Sequence, residues 1–440
     1  MAGAKTSGTM STKLHKVAQR AKREPEARLL ALAHLVNREM LGWAFAQVRK
    51  DAAVGVDGVT KEVYAAQLEQ NLQGLHERLK TGRYRHQPIR RAHLQKDGGK
   101  TRPIGISTVE DKVVQTAVAK VLEAVYEQDF LDCSYGFRPG RRAHDALRTL
   151  QGAMYRGECN WVLELDVQSY FDSLDRNRLW EMLRQRLADE SFLRLIGKCV
   201  HVGVLDGAQY SEPDEGTAQG SVLSPMLGNI YLHYVLDHWF ETVVKVRLKG
   251  KASLVRYADD FVIGFELEQD ARRVMEVLPQ RMAKYGLSLH PDKTRLLPFR
   301  RPPKAGGSGK GETTFDFLGF TLYWARARTG RWGMWCKTRS ASLRRGIKSV
   351  YDWCRGHRHL PVQVQRKALA RRTRGHYNYF GVSGNFRSLQ RFAEAVRRVW
   401  HKWLCRRSQR SRLTWERYSA LFKTRWQLPK PRITVKIWGS

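Results

Sequence analysis

The sequence holds six cysteines in 440 residues, and no two of them stand as a C-x-x-C pair. Scattered as Cys133, Cys159, Cys199, Cys336, Cys354 and Cys405, they supply neither the ligand spacing of a zinc site nor a disulfide framework. Long apolar runs are missing too. Nothing approaches the roughly 20 residues needed to cross a bilayer, and the Lys-rich stretch from Met1 to Glu24 lacks the apolar core of a signal peptide. These absences predict a cytoplasmic chain with no membrane partner. Negative charge is the third shortage: 42 Asp and Glu face 78 Lys and Arg, a net charge of +36. So basic a chain points to a polyanion, with nucleic acid first, while 42% hydrophobic residues suffice for a real core.

The imbalance is concentrated. From Arg301 to Ser440 there are 33 Lys and Arg against 5 Asp and Glu, so +28 of the +36 lies in that third of the chain. Such a segment repels itself unless something neutralises it.

Against that scarcity of acids, one apolar stretch stands out: Leu254-Val255-Arg256-Tyr257-Ala258-Asp259-Asp260-Phe261-Val262-Ile263-Gly264-Phe265. It reads as a β-hairpin with Asp259 and Asp260 at its tip. Adjacent carboxylates repel, and a purely structural turn would favour Asn-Gly or Asp-Gly, so a bound cation, Mg²⁺, explains the pair better. A third carboxylate, Asp166, ends the strand expected over Trp161 to Val167, and Tyr170 to Asp175 is expected to open a helix.

Around these lie the other elements. Residues 1–27 read as a flexible basic arm, and the apolar spacing of Leu29 to Phe45 as a helix. A second helical pattern runs from Lys61 to Leu79. His93 to Ile106 reads as strand, Asp-Gly-Gly turn, strand, with Lys96 and Arg102 on the two arms able to overlie a phosphate chain. A helix is expected from Val109 to Tyr126. Ser134 to Arg142 combines an aromatic with Arg138, Arg141 and Arg142, a mixture suited to bases and phosphates. The small, polar Gly216 to Pro225 segment, with Gln219, leads into an apolar helix from Met226 to Phe240. A basic loop, Arg300 to Glu312, is expected to join two parts of one sheet. From Ser340 the pattern is helical in three segments, whose cations would form a basic surface, and the Pro-rich end reads as an extended tail.

In this order the blocks resemble those of bacterial group II intron-encoded proteins, the reverse transcriptase/maturase family, from about residue 28 to the C-terminus. The resemblance implies an α+β right-hand polymerase, with fingers at 28–160, a palm of antiparallel sheet and catalytic hairpin at 161–337, a helical thumb or maturase X domain at 338–405 and a basic extension at 406–440. It implies catalysis by Asp166, Asp259 and Asp260, with two Mg²⁺ ions held by Asp166, Asp259 and the carbonyl of Val167. Lys96 and Arg102 would clamp the incoming dNTP, Gln219 would lie under it and Phe171 beneath its sugar. Arg138 and Phe317-Leu318-Gly319 would meet primer and template, while Arg371, Arg372, Arg374, Tyr377 and Tyr379 would meet intron RNA. The implied partners are intron RNA, an RNA template with a DNA primer, target DNA and dNTPs. Two features depart from the pattern: Ala218 replaces the usual Pro, and no His/Cys-rich HNH endonuclease segment follows. The alternatives are a splicing-only RNA-binding maturase and a CRISPR- or defence-associated reverse transcriptase.

Overall fold

The computed structural model describes residues 2–95, 101–207, 209–211, 216, 220–303, 310–327, 329–407 and 413–437. The chain is α+β. The expected N-terminal arm is instead a helix, α1 (Ala2–Arg23). Met10, Leu14, Val17 and Ala21 recur at steps of four, three and four residues, and Leu14 and Ala21 are buried, so an apolar stripe holds the helix down. Its end is closed by buried Arg186, which donates to the carbonyls of Ala21, Pro25 and Ala27 and pairs with Asp129. Those bonds satisfy carbonyls that a helix end leaves free.

The single helix expected over 29–45 is also revised. Leu29 bridges to Leu187, and the Asp189 carboxylate accepts the N–H groups of Leu32 and Ala33. Helix α2 (Arg38–Gln47) begins only after Asn37, whose side chain accepts from the Met40 N–H, a stronger start signal than apolar spacing. Helices α3 (Lys61–Ala66) and α4 (Leu68–Lys80) follow, interrupted at Gln67. Strands β1 (Ile89–Gln95) and β2 (Thr101–Ile106) form the expected hairpin arms, and α5 (Val109–Tyr126) spans the expected residues. Buried on almost every side, α5 is the central helix of the largest core cluster.

Next come α6 (Ala143–Tyr155), β3 (Trp161–Asp166), α7 (Arg176–Arg186), α8 (Glu190–Val200), β4 (Val204–Asp206) and β5 (Gln209–Ser211). Tyr170 to Asp175 is a turn, not a helix, because Asp175 is the N-cap of α7 and accepts from the Arg178 N–H. Helix α9 (Ser224–Leu232) continues through π-helical turns at His233–Asp237 and Phe240–Val244. It precedes β6 (Ala252–Tyr257), β7 (Asp260–Phe265), α10 (Glu268–Ala283) and β8 (Arg295–Pro298).

Strands β9 (Lys310–Phe317), β10 (Phe320–Arg326) and β11 (Trp332–Thr338) complete the β structure. The described residues hold three sheets, ordered β2-β1-β4-β5, β6-β7-β3-β8 and β11-β10-β9. The loop after residue 300 therefore separates two sheets; it does not join parts of one. They meet where the Asp316 N–H donates to Glu164 at 2.9 Å. Helices α11 (Ser340–Gly356), α12 (Val362–Phe380) and α13 (Phe386–Cys405) pack around their own core of Leu369, Leu389, Phe392, Val396 and Trp400. The expected basic extension 406–440 contains a further helix, α14 (Trp415–Thr424), before the expected Pro-rich tail, Leu428 to Ile433, which has no helix or strand; the chain then returns, with Val435 bridging Val382 and Ile437 buried beside the β9–β11 sheet. No helix among the described residues is long and apolar enough to cross a membrane.

Candidate active site

Strands β3 and β7 are antiparallel neighbours, and their register sets Asp166 directly opposite Asp260. Residues so opposed have Cα atoms about 4.5–5.5 Å apart. Asp259 lies in the two-residue turn, with Ala258, that joins β6 to β7. Three carboxylates thus gather from residues about ninety positions apart in sequence.

The turn is held under constraint. Ala258 has φ +58°, a left-handed conformation that costs a non-glycine residue about 1–3 kcal/mol unless its surroundings impose it. They do so from two sides. Gly136 lies so close that a side chain there would come within 2.3 Å of the Ala258 nitrogen. From below, fully buried Arg256 donates to the Ala258 carbonyl at 3.0 Å, to Asn229 at 2.9 Å and to Ser134 at 2.7 Å, and forms a two-pronged pair with Asp237. Asn229 in turn donates to the Gly136 carbonyl at 2.7 Å. The Ala258-Asp259 turn is fixed by a buried polar network reaching from α9 to the 134–136 loop.

Electrostatically the three carboxylates crowd one another in a partly shielded cleft. Burial pushes the Asp259 carboxyl above its ordinary value, with the Asp166 charge adding to that and Arg102 opposing it. Asp260 stands at the exposed end of β7, yet the walls of the cleft and the charges of Asp259 and Asp166 push it up to about 6. In both, burial is the larger cause and the neighbouring carboxylates add to it. Asp166 has a cation beside it: Lys293 donates to its carboxylate at 2.6 Å. Its own backbone carbonyl accepts from the His290 N–H, and Gln168 donates to Ser288. That pairing leaves the carbonyl of Val167 on the opposite edge of the strand, toward β7.

Arg102 stands on β2 opposite Leu94, and Gly220 passes so near that strand that a side chain there would lie 2.6 Å from the Gly105 carbonyl. Lys96, Ala218 and Gln219 lie outside the described residues. Phe171 sits in the turn after β3, where its ring would be 3.2 Å from a side chain at Gly228, so that glycine makes room for it. Phe317 is buried, while Leu318 and Gly319, with φ of +51° and +78°, form the turn between β9 and β10. Tyr379 donates to the Leu318 carbonyl at 3.0 Å and stacks on Phe320; its polar end is used within the protein.

Two expected nucleic-acid contacts face inward. Buried Arg138 pairs with Glu127 and donates to the carbonyls of Leu131 and Ser134, because a loop turning back on itself needs its carbonyls satisfied. Tyr377 is buried in the helical C-terminal core. Arg371, Arg372 and Arg374 are exposed on α12, with Arg372 over the Trp353 ring.

Lys293, Asp237, Asn229 and Gly136 were not singled out by sequence. Arg256 carried a signal: a guanidinium inside an apolar strand must have a buried partner. Nothing in the sequence named Asp237 as that partner.

One carboxylate in a hairpin turn and the next at the start of its strand, opposite a third acid on the adjoining strand, is an arrangement suited to nucleotidyl transfer of the polymerase kind. The family model described as reverse transcriptase (RNA-dependent DNA polymerase) matches residues 94–322, just over half of the chain. Protein YkfC of Escherichia coli K12 is 33% identical over 314 residues, 63% of this chain and 77% of that protein. Group II intron-encoded protein LtrA of Lactococcus lactis subsp. cremoris is 31% identical over 266 residues, 60% of this chain but 43% of LtrA. A 91 kDa protein in the cob intron of Schizosaccharomyces pombe is 33% identical over 244 residues, 55% of this chain and 30% of that protein. The chain belongs to the reverse transcriptase family and is similar to group II intron-encoded proteins.

Proposed function

We propose that the chain is an RNA-directed DNA polymerase that binds group II intron RNA, assists its splicing and copies it into DNA at a target site during retrohoming. In this reading residues 28–160 act as fingers, 161–337 as palm and 338–405 as a thumb that also serves as the maturase surface. The observation that carries it is the Asp166–Asp260 register with Asp259 in the adjoining turn.

The donor set suits Mg²⁺. Among the described residues no group of three His, Cys, Asp or Glu side chains could hold a metal ion by itself; Mg²⁺ typically takes one or two carboxylates, with substrate phosphates and water completing the shell. Asp166, Asp259 and the Val167 carbonyl would hold two ions, which supply activation of the primer 3′-hydroxyl and neutralisation of the leaving oxygen. Lys293 would then leave the Asp166 carboxylate. Arg102 adds positive charge where the triphosphate would lie, and Phe171 stands where the sugar would. The basic surface around Arg371, Arg372 and Arg374 supports RNA binding.

Asp259→Asn keeps the size of the side chain and removes its charge. It should abolish Mg²⁺-dependent primer extension on an RNA template while folding and RNA binding persist. Extension at the wild-type rate would refute the assignment.

A further inference from the structure

Gln115 is an amide inside the apolar run of α5, Val113-Val114-Gln115-Thr116-Ala117-Val118. It is fully buried, and a buried amide is costly unless its donors and acceptor are used. Here they are. Its Oε1 accepts from the Val222 N–H at 3.1 Å, and its Nε2 donates to Ser107 Oγ at 3.2 Å and to His86 Nε2 at 2.7 Å. The direction of this chain of bonds is fixed at both ends. The Val222 N–H can only donate, and the Gln87 carbonyl, 2.6 Å from His86 Nδ1, can only accept. His86 therefore carries its proton on Nδ1 and receives the Gln115 amide on Nε2.

Val222 belongs to the segment Gly216 to Pro225, whose Gln219 is expected beneath the incoming nucleotide. That segment is held at intervals. The Gly216 N–H donates to the Leu174 carbonyl at 2.9 Å, and the Gly216 carbonyl accepts from Arg176 at 3.0 Å. Gly220, which directly follows Gln219 in sequence, has φ +104° and passes against β2, where a side chain would fall 2.6 Å from the Gly105 carbonyl. Two residues later Gln115 takes the Val222 N–H, and α9 begins at Ser224. Gln115 is shielded from solvent, so it acts through this segment and meets no nucleotide itself.

We propose that Gln115 is a positioning residue for dNTP binding: its bond to the Val222 N–H holds the segment after Gln219 in place against β2, the strand that carries Arg102. The proposal rests on the polymerase reading above and adds to it a residue remote from substrate. With the bond made, the segment is set before the nucleotide arrives. Without it the competent placement is only partly populated, and the apparent affinity for dNTP falls by that fraction. Saturating dNTP selects the competent placement, so the loss falls on KM and not on kcat.

Gln115→Met in the full-length chain tests this by steady-state primer extension on an RNA template. It keeps the length of the side chain and removes the acceptor. KM for dNTP should rise about fivefold, the worth of one hydrogen bond, with kcat and the KM for primer-template within about twofold of wild type. A residue that only stabilises the fold behaves otherwise: unfolding lowers the active fraction and with it kcat, while KM stays where it was. Tyr84→Phe supplies the contrast. It removes a 2.6 Å bond to Asp111, one turn earlier on α5, without touching Gln115 or Val222. It should lower the melting temperature and leave KM for dNTP unchanged. Should Gln115→Met not fold, Gln115→Asn carries the same test, since it keeps the amide and draws it back by one methylene. An unchanged KM in a folded Gln115 variant, or an equal rise in Tyr84→Phe, overturns the proposal. Absence of RNA-templated extension by the wild-type chain at any dNTP concentration would instead remove the polymerase reading, and the positioning role with it.

Discussion

Asp237→Ala should loosen the Ala258-Asp259 turn without touching any residue proposed to meet substrate. Arg256 and Asp237 are both wholly shielded from solvent, so the substitution leaves a buried guanidinium without its counterion. Breaking a buried pair on one side costs about 3–5 kcal/mol. Arg256 would keep its bonds to Asn229, Ser134 and the Ala258 carbonyl, but the charge would have no counterion. Hydrogen exchange reads the effect where it acts. Amides of β6 and β7 should exchange about 100- to 3,000-fold faster in the variant. A paired replacement, Arg256→Met with Asp237→Leu, separates stability from positioning. Apolar side chains of similar volume often restore what a buried pair gave, so protection should recover. The tether on Ala258 would still be missing, however, and misplacement by about 1 Å can cost on the order of 100-fold in rate. Primer extension should therefore remain low in a well-folded protein. Exchange accelerated less than about tenfold in Asp237→Ala, or wild-type extension by the double variant, would refute the argument that this pair holds the turn.

Acid should destabilise the protein through His233, which burial holds at about 4, below the ordinary histidine value of 6.5. Its folded form resists protonation, so the unfolded chain binds more protons and stability falls as pH drops from about 6.5 to about 4; the contribution is at most about 3 kcal/mol. His233→Phe should flatten the unfolding midpoint across that interval, and an unchanged pH profile would count against it. If Phe171 lies against the nucleotide sugar as proposed, Phe171→Ala should admit ribonucleotides; undiminished preference for dNTPs in a competition assay would reduce the ring to packing against Gly228.

How much of this was legible in the sequence depended on the range of the interaction involved. The Asp259-Asp260 turn, the β1–β2 arms and α5 are written in local alternation, turn residues and helical spacing, which act between near neighbours. The +28 after residue 300 is likewise additive and needs no fold to be read. Local rules failed where distant groups decided. Residues 29–37 look helical by spacing, but the Asp189 carboxylate and Leu187, some 150 residues away, draw them into an irregular run. Arg138 looks like a nucleic-acid contact and is used to satisfy carbonyls. The chain alone determined that acids and bases would be segregated and that three aspartates had to be explained. Only the tertiary structure set Asp166 opposite Asp260 and put Asp237 beneath Arg256. Strand register, burial and the satisfaction of polar groups depend on what comes together in space, and no sequence window contains those partners.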